Sequence, residues 1–330
     1  MASTLMGGMV PAHLPLCRET DKIRADGRPQ PSFRDQLRRI PNWLNAWSVL
    51  FLYVQTAAVL WATVALGPWS WPVTFVLMGR AFAQFLSLMH DAAHRLLFSH
   101  KGLNDVVGRW LLGYPSLTNT DGYRRVHAAH HREEFGPDEP DLPLYVGYPI
   151  GPASFRRKLW RDATGRTGAK LLVQFLRSAT SADAKVRSTF WKIMAVQALM
   201  LAAAVVSGYW WLYPFFWLAP YLTVWRVINR LRSIAEHGGM TASKDRRATT
   251  HTVAQHPVAR FMVVPYRIGL HLAHHVDSGI PFRNLPALHA ALIDAGYIDR
   301  TIEYANYPAI WRALRAEPGL NSPHAPTAAR

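Results

Sequence analysis

Four long apolar runs interrupt an otherwise polar chain. Residues 46–66 carry no charged side chain. At 1.5 Å per residue they cover roughly the 30 Å hydrocarbon thickness of a bilayer. Gly67, Pro68, Trp69 and Trp71 then mark a tight interfacial turn, and a second run over 72–89 contains Arg80. The third run, 188–207, has Lys192 near its start. Gly208 makes the next turn, and a fourth run over 209–227 is dense in Trp, Tyr and Phe and holds Pro214 and Pro220. The pattern predicts an all-α integral membrane protein of four transmembrane helices arranged as two hairpins, with the polar segments 95–187 and 230–316 forming a helical cap.

The basic residues refine this picture. Neither hairpin turn contains Lys or Arg, so all the clustered positive charge falls on one side of the membrane. The positive-inside rule makes that side cytoplasmic, with both termini and the cap. Residues 1–41 are expected to form a basic, partly disordered tail with an interfacial helix over 33–40. Residues 42–316 are expected to form the membrane domain and 317–330 a second disordered tail. Within the cap, 106–112 and 155–176 mix apolar and basic positions at near-helical spacing, as helices lying at a bilayer surface do.

Composition narrows the function classes. Of 330 residues, half are apolar, yet the formal net charge is +16. A basic balance suits nucleic acid or anionic lipid. Here Lys and Arg crowd between apolar runs, and no helix-turn-helix, zinc-finger or RNA-binding signature occurs, so membrane lipid is the expected partner and nucleic acid is not. Cys17 is the only cysteine, which excludes an intrachain disulfide and any cysteine-based zinc or iron–sulfur site.

The candidate chemistry lies in three histidine clusters: His90 with His94, His127 with His130 and His131, and His271 with His274 and His275. Spacings of three and four residues put imidazoles on one helix face, one turn apart. His237 follows the fourth run by about two turns. An even number of spans separates the first cluster from the third, so all nine histidines are expected at one cytoplasmic level. Imidazole suits Zn, Cu, Fe and Ni. Nine ligands are too many for one tetrahedral zinc site and suit two metals with open positions. No Glu-x-x-His or His-Glu-x-x-His occurs, so the soluble di-iron bundles and the common zinc proteases are excluded.

The order HDAAH (90–94), HAAHH (127–131), a lone His237 and HLAHH (271–275) resembles the membrane fatty-acid desaturases and hydroxylases. The segments RSIAEHGG (232–239), HHREEFGPDEPDLPLY (130–145) and HHVDSGIPFRNLPALH (274–289) extend the resemblance over 42–297. It implies two iron ions held by His90, His94, His127, His130, His131, His237, His271, His274 and His275, with O2 as co-substrate. Some members of that family have an Asn four residues before the lone histidine, acting through water; here that place is Ser233. Asp91, Asp105, Glu236 and Asp277 are further candidates to accept the outer N–H of a ligand imidazole.

The implied reaction is oxidation of an aliphatic chain, foremost fatty-acyl desaturation in lipid metabolism. Hydroxylation or ketolation of a lipid, alkane or carotenoid is the alternative, and a metal-binding transporter or sensor is the remote one. The acyl group would arrive on coenzyme A, an acyl carrier protein or a phospholipid. No cytochrome b5-like His-Pro-Gly-Gly segment occurs, so electrons are expected from a separate ferredoxin, rubredoxin or cytochrome. A substrate tunnel is expected between the second and fourth runs, lined by Phe82, Phe85, Phe216, Trp217 and Tyr221.

Overall fold

The computed structural model describes residues 7–136 and 139–315. Its main helices, in chain order, are α1 (Pro31–Leu37), α2 (Asn42–Leu66), α3 (Trp71–Ala93), α4 (Lys101–Val106), α5 (Thr120–Arg132), α6 (Pro152–Ala163) and α7 (Arg166–Leu176). They continue with α8 (Ala184–Val206), α9 (Val224–His237), α10 (Pro257–Met262), α11 (His271–Val276), α12 (Leu285–Asp294) and α13 (Tyr307–Leu314). The chain divides into two compact units. An apolar unit comprises Ile40–Arg124 and Lys158–Asn229, and a histidine-rich unit comprises Met1–Arg39, Arg125–Arg157 and Arg230–Arg330.

In the apolar unit, α2 and α3 form an antiparallel hairpin. The turn between them is a 3-10 turn over Gly67–Ser70, entered through Gly67 at φ 69°, a backbone conformation that favours glycine. Partners run in opposite directions along the two helices. Asn45 donates to the Leu97 carbonyl at 2.8 Å, Gln55 pairs with Gln84, and Thr63 meets Thr74 at 2.9 Å. Arg80, the one charge in the second run, donates to the side-chain carbonyls of Gln55 at 3.1 Å and Gln84 at 2.7 Å. Two amides on facing helices thus satisfy a guanidinium that apolar surroundings penalise. Gly79 permits close approach of the 224 region: a Cβ there would lie 2.3 Å from Val224 Cγ1.

Among the described residues, the stretches Asn42–Ala93 and Ala184–Val206 are long and apolar enough to cross a membrane. The expected fourth helix over 209–227 is not continuous. A π-helical turn covers Tyr213–Leu218 and a single turn Ala219–Leu222. The chain then breaks at Thr223 (φ −123°, ψ −83°) before α9 begins. Pro214 and Pro220 remove two amide donors from this segment, which breaks the regular hydrogen-bond ladder. The apolar–basic stretch 155–176 likewise forms two helices, α6 and α7, parted at Gly165 with φ 76°. The stretch 106–112 is largely a π-helical turn, Val107–Gly113.

The histidine-rich unit takes in the N-terminal segment, which does not stand apart as a tail. Met9 and Ile23 are buried. The amides of Gly7, Met9 and Arg18 donate to the carbonyls of Met240, Gly239 and Ala295. Helix α1 is tied down by an Arg34–Asp277 ion pair and by Asn284, which donates to the Leu37 carbonyl at 2.6 Å and the Arg39 carbonyl at 3.0 Å. Thr252–Val253 and Glu303–Tyr304 pair as a short parallel ladder. Ile234, Leu288, Ile310 and Leu314 belong to this unit's buried core. The expected tail 317–330 lies outside the described residues.

Candidate metal centre

Seven of the nine histidines fall in the histidine-rich unit, and helical geometry sorts them into two groups. On α5, His127 and His131 are four residues apart and bring their Nε2 atoms to 3.0 Å. On α11, His271 and His275 do the same, also at 3.0 Å. The remaining histidine of each helix is turned away from its own pair and joins the other helix's pair. His274 Nε2 lies 3.0 Å from His131 Nε2, and the His130 ring lies 5.1 Å from that of His275. His237, at the end of α9, completes the second group with its Nε2 3.0 Å from His271 Nε2. One group is therefore His127, His131 and His274. The other is His130, His237, His271 and His275, all four buried. His90 and His94 lie at the end of α3, in the apolar unit, with ring centroids 4.7 Å apart.

The outer nitrogens show how the second group is oriented. His237 Nδ1 donates to the Thr249 carbonyl at 2.9 Å, His130 Nδ1 meets Glu139 Oε1 at 2.9 Å, and His275 Nδ1 meets Glu134 Oε1 at 2.5 Å. His271 Nδ1 lies 3.5 Å from Glu236 Oε1. The Nδ1 atoms of His237, His130 and His275 thus each hydrogen-bond an oxygen acceptor, which selects the tautomer whose Nε2 carries a lone pair.

These tautomers have a consequence. A carbonyl oxygen only accepts, so neutral His237 must carry its proton on Nδ1 and present a bare Nε2. A carboxylate facing His275 Nδ1 imposes the same there. Both lone pairs point at His271 Nε2, which can supply a proton to one of them at most. A cation between the nitrogens removes the repulsion, so the donor set fits a metal ion.

Electrostatics agree. Burial, reinforced by neighbouring imidazoles, holds His237, His271 and His275 well below the ordinary histidine value and hence neutral, the ligating form. His130 differs: burial pulls it down, but the Glu139 carboxylate outweighs burial and leaves it raised. Burial pushes Glu134 up against the pull of Arg246, and Glu236 up against that of Arg232.

Of the carboxylates singled out from sequence, Glu236 does face an imidazole of the second group, that of His271. Asp277 does not; it pairs with Arg34 and accepts the Gly279 amide at 2.9 Å, because the chain leaves the helix at Asp277, which has an extended backbone. Asp105 instead gathers Arg95, Arg109 and Arg124. Asp91 is buried on α3 beside His90, and Ser233 is buried one turn before His237 on α9. Glu134 and Glu139, which do hold imidazoles, were missed by sequence reasoning. Both lie in the loop beyond α5, where no periodicity marks which acid turns inward. Four other histidines have structural contacts. His100 and His256 cap helices, His251 donates to the Gly238 carbonyl at 2.7 Å, and His289 lies 3.4 Å from Glu303.

The apolar unit contains a cavity of about 420 Å³, whose lining includes Tyr53, Leu60, Phe85, Met200, Tyr213 and Trp217. Tyr53 donates to the Leu111 carbonyl at 2.6 Å, Tyr213 to Gln197 at 2.8 Å and Trp217 to the Pro115 carbonyl at 3.1 Å. Their polar tips are thus satisfied within the protein. Of the five expected tunnel residues, Phe85 and Trp217 line this cavity, whereas Phe82, Phe216 and Tyr221 do not. Phe82 packs edge-on against Trp217 and Tyr221 at 4.9 and 5.1 Å, and Phe216 packs against Trp71 and Trp211, each at 5.8 Å.

The chain matches the profile of the fatty acid desaturase family over residues 66–304. It is similar to the dihydrorhizobitoxine desaturase of Bradyrhizobium elkanii, with 27% identity covering 78% of each chain. It is also similar to the sn-1 oleoyl-lipid 12-desaturase of Picosynechococcus sp., with 26% identity over 80% of this chain and 83% of the relative. The chloroplastic omega-6 fatty acid desaturase of Spinacia oleracea is 22% identical over 92% of this chain and 72% of its own length.

Proposed function

Because the chain belongs to the fatty acid desaturase family, we propose that it is an integral membrane oxidoreductase that uses two irons, O2 and external electrons to desaturate an aliphatic chain, foremost a fatty-acyl chain. The observation that carries this reading is the convergence of seven imidazoles into two groups in one unit, with Nε2 atoms facing one another at 3.0 Å. The motif order adds His90 and His94 to the ligand set. Four spans with a cytoplasmic cap remain the proposed topology; the two long apolar stretches support its first two spans and its third.

When bound, the irons supply the oxidising power that an unactivated C–H bond demands. The protein's share is orientation and exclusion. Glu134, Glu139 and the Thr249 carbonyl hold three imidazoles in one tautomer, and Glu236 lies 3.5 Å from a fourth. The apolar cavity fits an alkyl chain, whose reacting carbon has no polar handle and must be placed by shape alone. Oxygen transfer in place of a second hydrogen abstraction would make the product an alcohol, and placement of the chain decides between the two.

A separate electron donor of the ferredoxin, rubredoxin or cytochrome kind is part of this proposal. The similarity to a dihydrorhizobitoxine desaturase favours a second reading, in which the desaturated substrate is a small metabolite rather than an acyl lipid. Purified protein in detergent should contain about two irons per chain. Mass spectrometry of lipids and metabolites after expression in a host lacking the gene should show a product lighter by two hydrogens. One zinc per chain after anaerobic purification, with no new unsaturated product of either class, would defeat the proposal.

A further inference from the structure

Arg246 opens the short 3-10 turn Arg246–Ala248 and is not one of the histidine motif's residues. Its side chain does two things at once. Nη1 donates to Glu134 Oε1 at 2.5 Å, the same oxygen that receives His275 Nδ1, and Nη2 donates to the backbone carbonyl of His131 at 3.0 Å. His275 belongs to the four-histidine group and His131 to the other. The Glu134 side chain is 1% exposed and that of Arg246 28% exposed. Arg246 also forms part of the wall of a polar cavity of about 710 Å³, together with Arg132, Lys244 and Tyr297.

We infer that Arg246 is a positioning residue that braces both imidazole groups through one guanidinium. Two donors on Glu134 Oε1 fix the carboxylate in place, and that fixes the plane of the His275 ring. The second arm pins the end of α5, and with it His131. A planar guanidinium reaches both acceptors in a single rotamer, which an ammonium group cannot do. The neighbouring Arg247 provides the contrast. It pairs with Asp245 and stacks on Tyr297 at 4.1 Å, and no ligand histidine is among its contacts.

This inference rests on the metal-centre reading above, and its test separates the two. Metal-free full-length protein in detergent is titrated with cobalt(II) against a competing chelator, so the readout is affinity rather than turnover. Wild type should bind two cobalt ions. If it binds none, the metal-centre reading itself fails. With wild type binding, Arg246→Gln should weaken both binding steps, each by roughly 10–100-fold, the range for loss of an outer partner of a metal ligand. Arg246→Lys should fall between the two, and Arg247→Gln should match wild type. Glu134→Gln should weaken the step at the His275 group, and adding Arg246→Gln to it should weaken that step by less than it does alone. Wild-type affinity in Arg246→Gln would overturn the inference. So would an equal loss in Arg247→Gln, which would mark a general structural effect. Should Arg246→Gln fail to accumulate in membranes, wild-type affinity in Arg246→Lys would overturn it equally.

Discussion

His130 and Glu139 meet at 2.9 Å across the loop that follows α5, and the Glu139 carboxylate also receives the backbone amides of Phe135 and Asp141. One buried side chain therefore holds a candidate ligand and shapes the loop that carries it. Burial alone would raise this acid, but the His130 hydrogen bond and the two amides outweigh burial and keep it lowered. An ionised Glu139 is therefore the resting partner of His130.

Glu139→Gln keeps an acceptor but loses the charge, and should weaken metal binding by roughly 10-fold. Glu139→Ala removes both functions and should approach 100-fold. Chelator competition on purified protein measures both. Equal affinities in wild type and Glu139→Ala would show that His130 does not need this partner.

Removal of the metal should destabilise the histidine-rich unit. With metal at a thousand times its dissociation constant, binding contributes about 4 kcal/mol to stability. Stripping with a strong chelator should lower the thermal midpoint. Most helical circular dichroism should remain, because the α2–α3 hairpin holds no histidine until its very end. An unchanged midpoint in protein verified to be metal-free would contradict this.

Substrate length should respond to the cavity wall. Leu60→Trp fills space at the cavity and should shift preference towards shorter chains or move the oxidised position. Trp217→Phe opens space and removes one of the two donors to the Pro115 carbonyl, the other being Gln197, with the opposite shift. Trp217→Ala would enlarge the cavity further but costs about 3–5 kcal/mol of stability. Phe216→Leu, off the wall, should leave the product distribution unchanged. Product analysis across acyl lengths distinguishes these outcomes, and identical products from all four variants would place the substrate elsewhere.

Arg34→Gln should separate structure from chemistry near the third cluster. It breaks the ion pair between the half-exposed Arg34 and the largely buried Asp277, so a stability loss of about 1–3 kcal/mol is expected, with metal content unchanged. Loss of metal in this variant would restore Asp277 to the set of groups that hold the centre.

The sequence by itself determined the elements and the inventory. Apolar runs of sufficient length form α2, α3 and α8 wherever they are placed, because apolar side chains and internally satisfied backbone leave few alternatives. The clusters at 127–131 and 271–275 likewise bring imidazoles together by helical periodicity alone, and His237 falls at the end of its own helix. Other features depend on contacts between residues far apart in the chain, which no local pattern encodes. Folding decided that each cluster contributes to both groups, and that Glu134 and Glu139 turn inward while Asp277 turns to Arg34. It also placed Arg246, 112 residues beyond Glu134, against that carboxylate. The broken course of 209–227 and the burial of the N-terminal segment belong here too. Proline can bend a helix or end it, and a polar stretch can lie free or pack. In each case the energy of the surrounding contacts, absent from composition and periodicity, chooses between them.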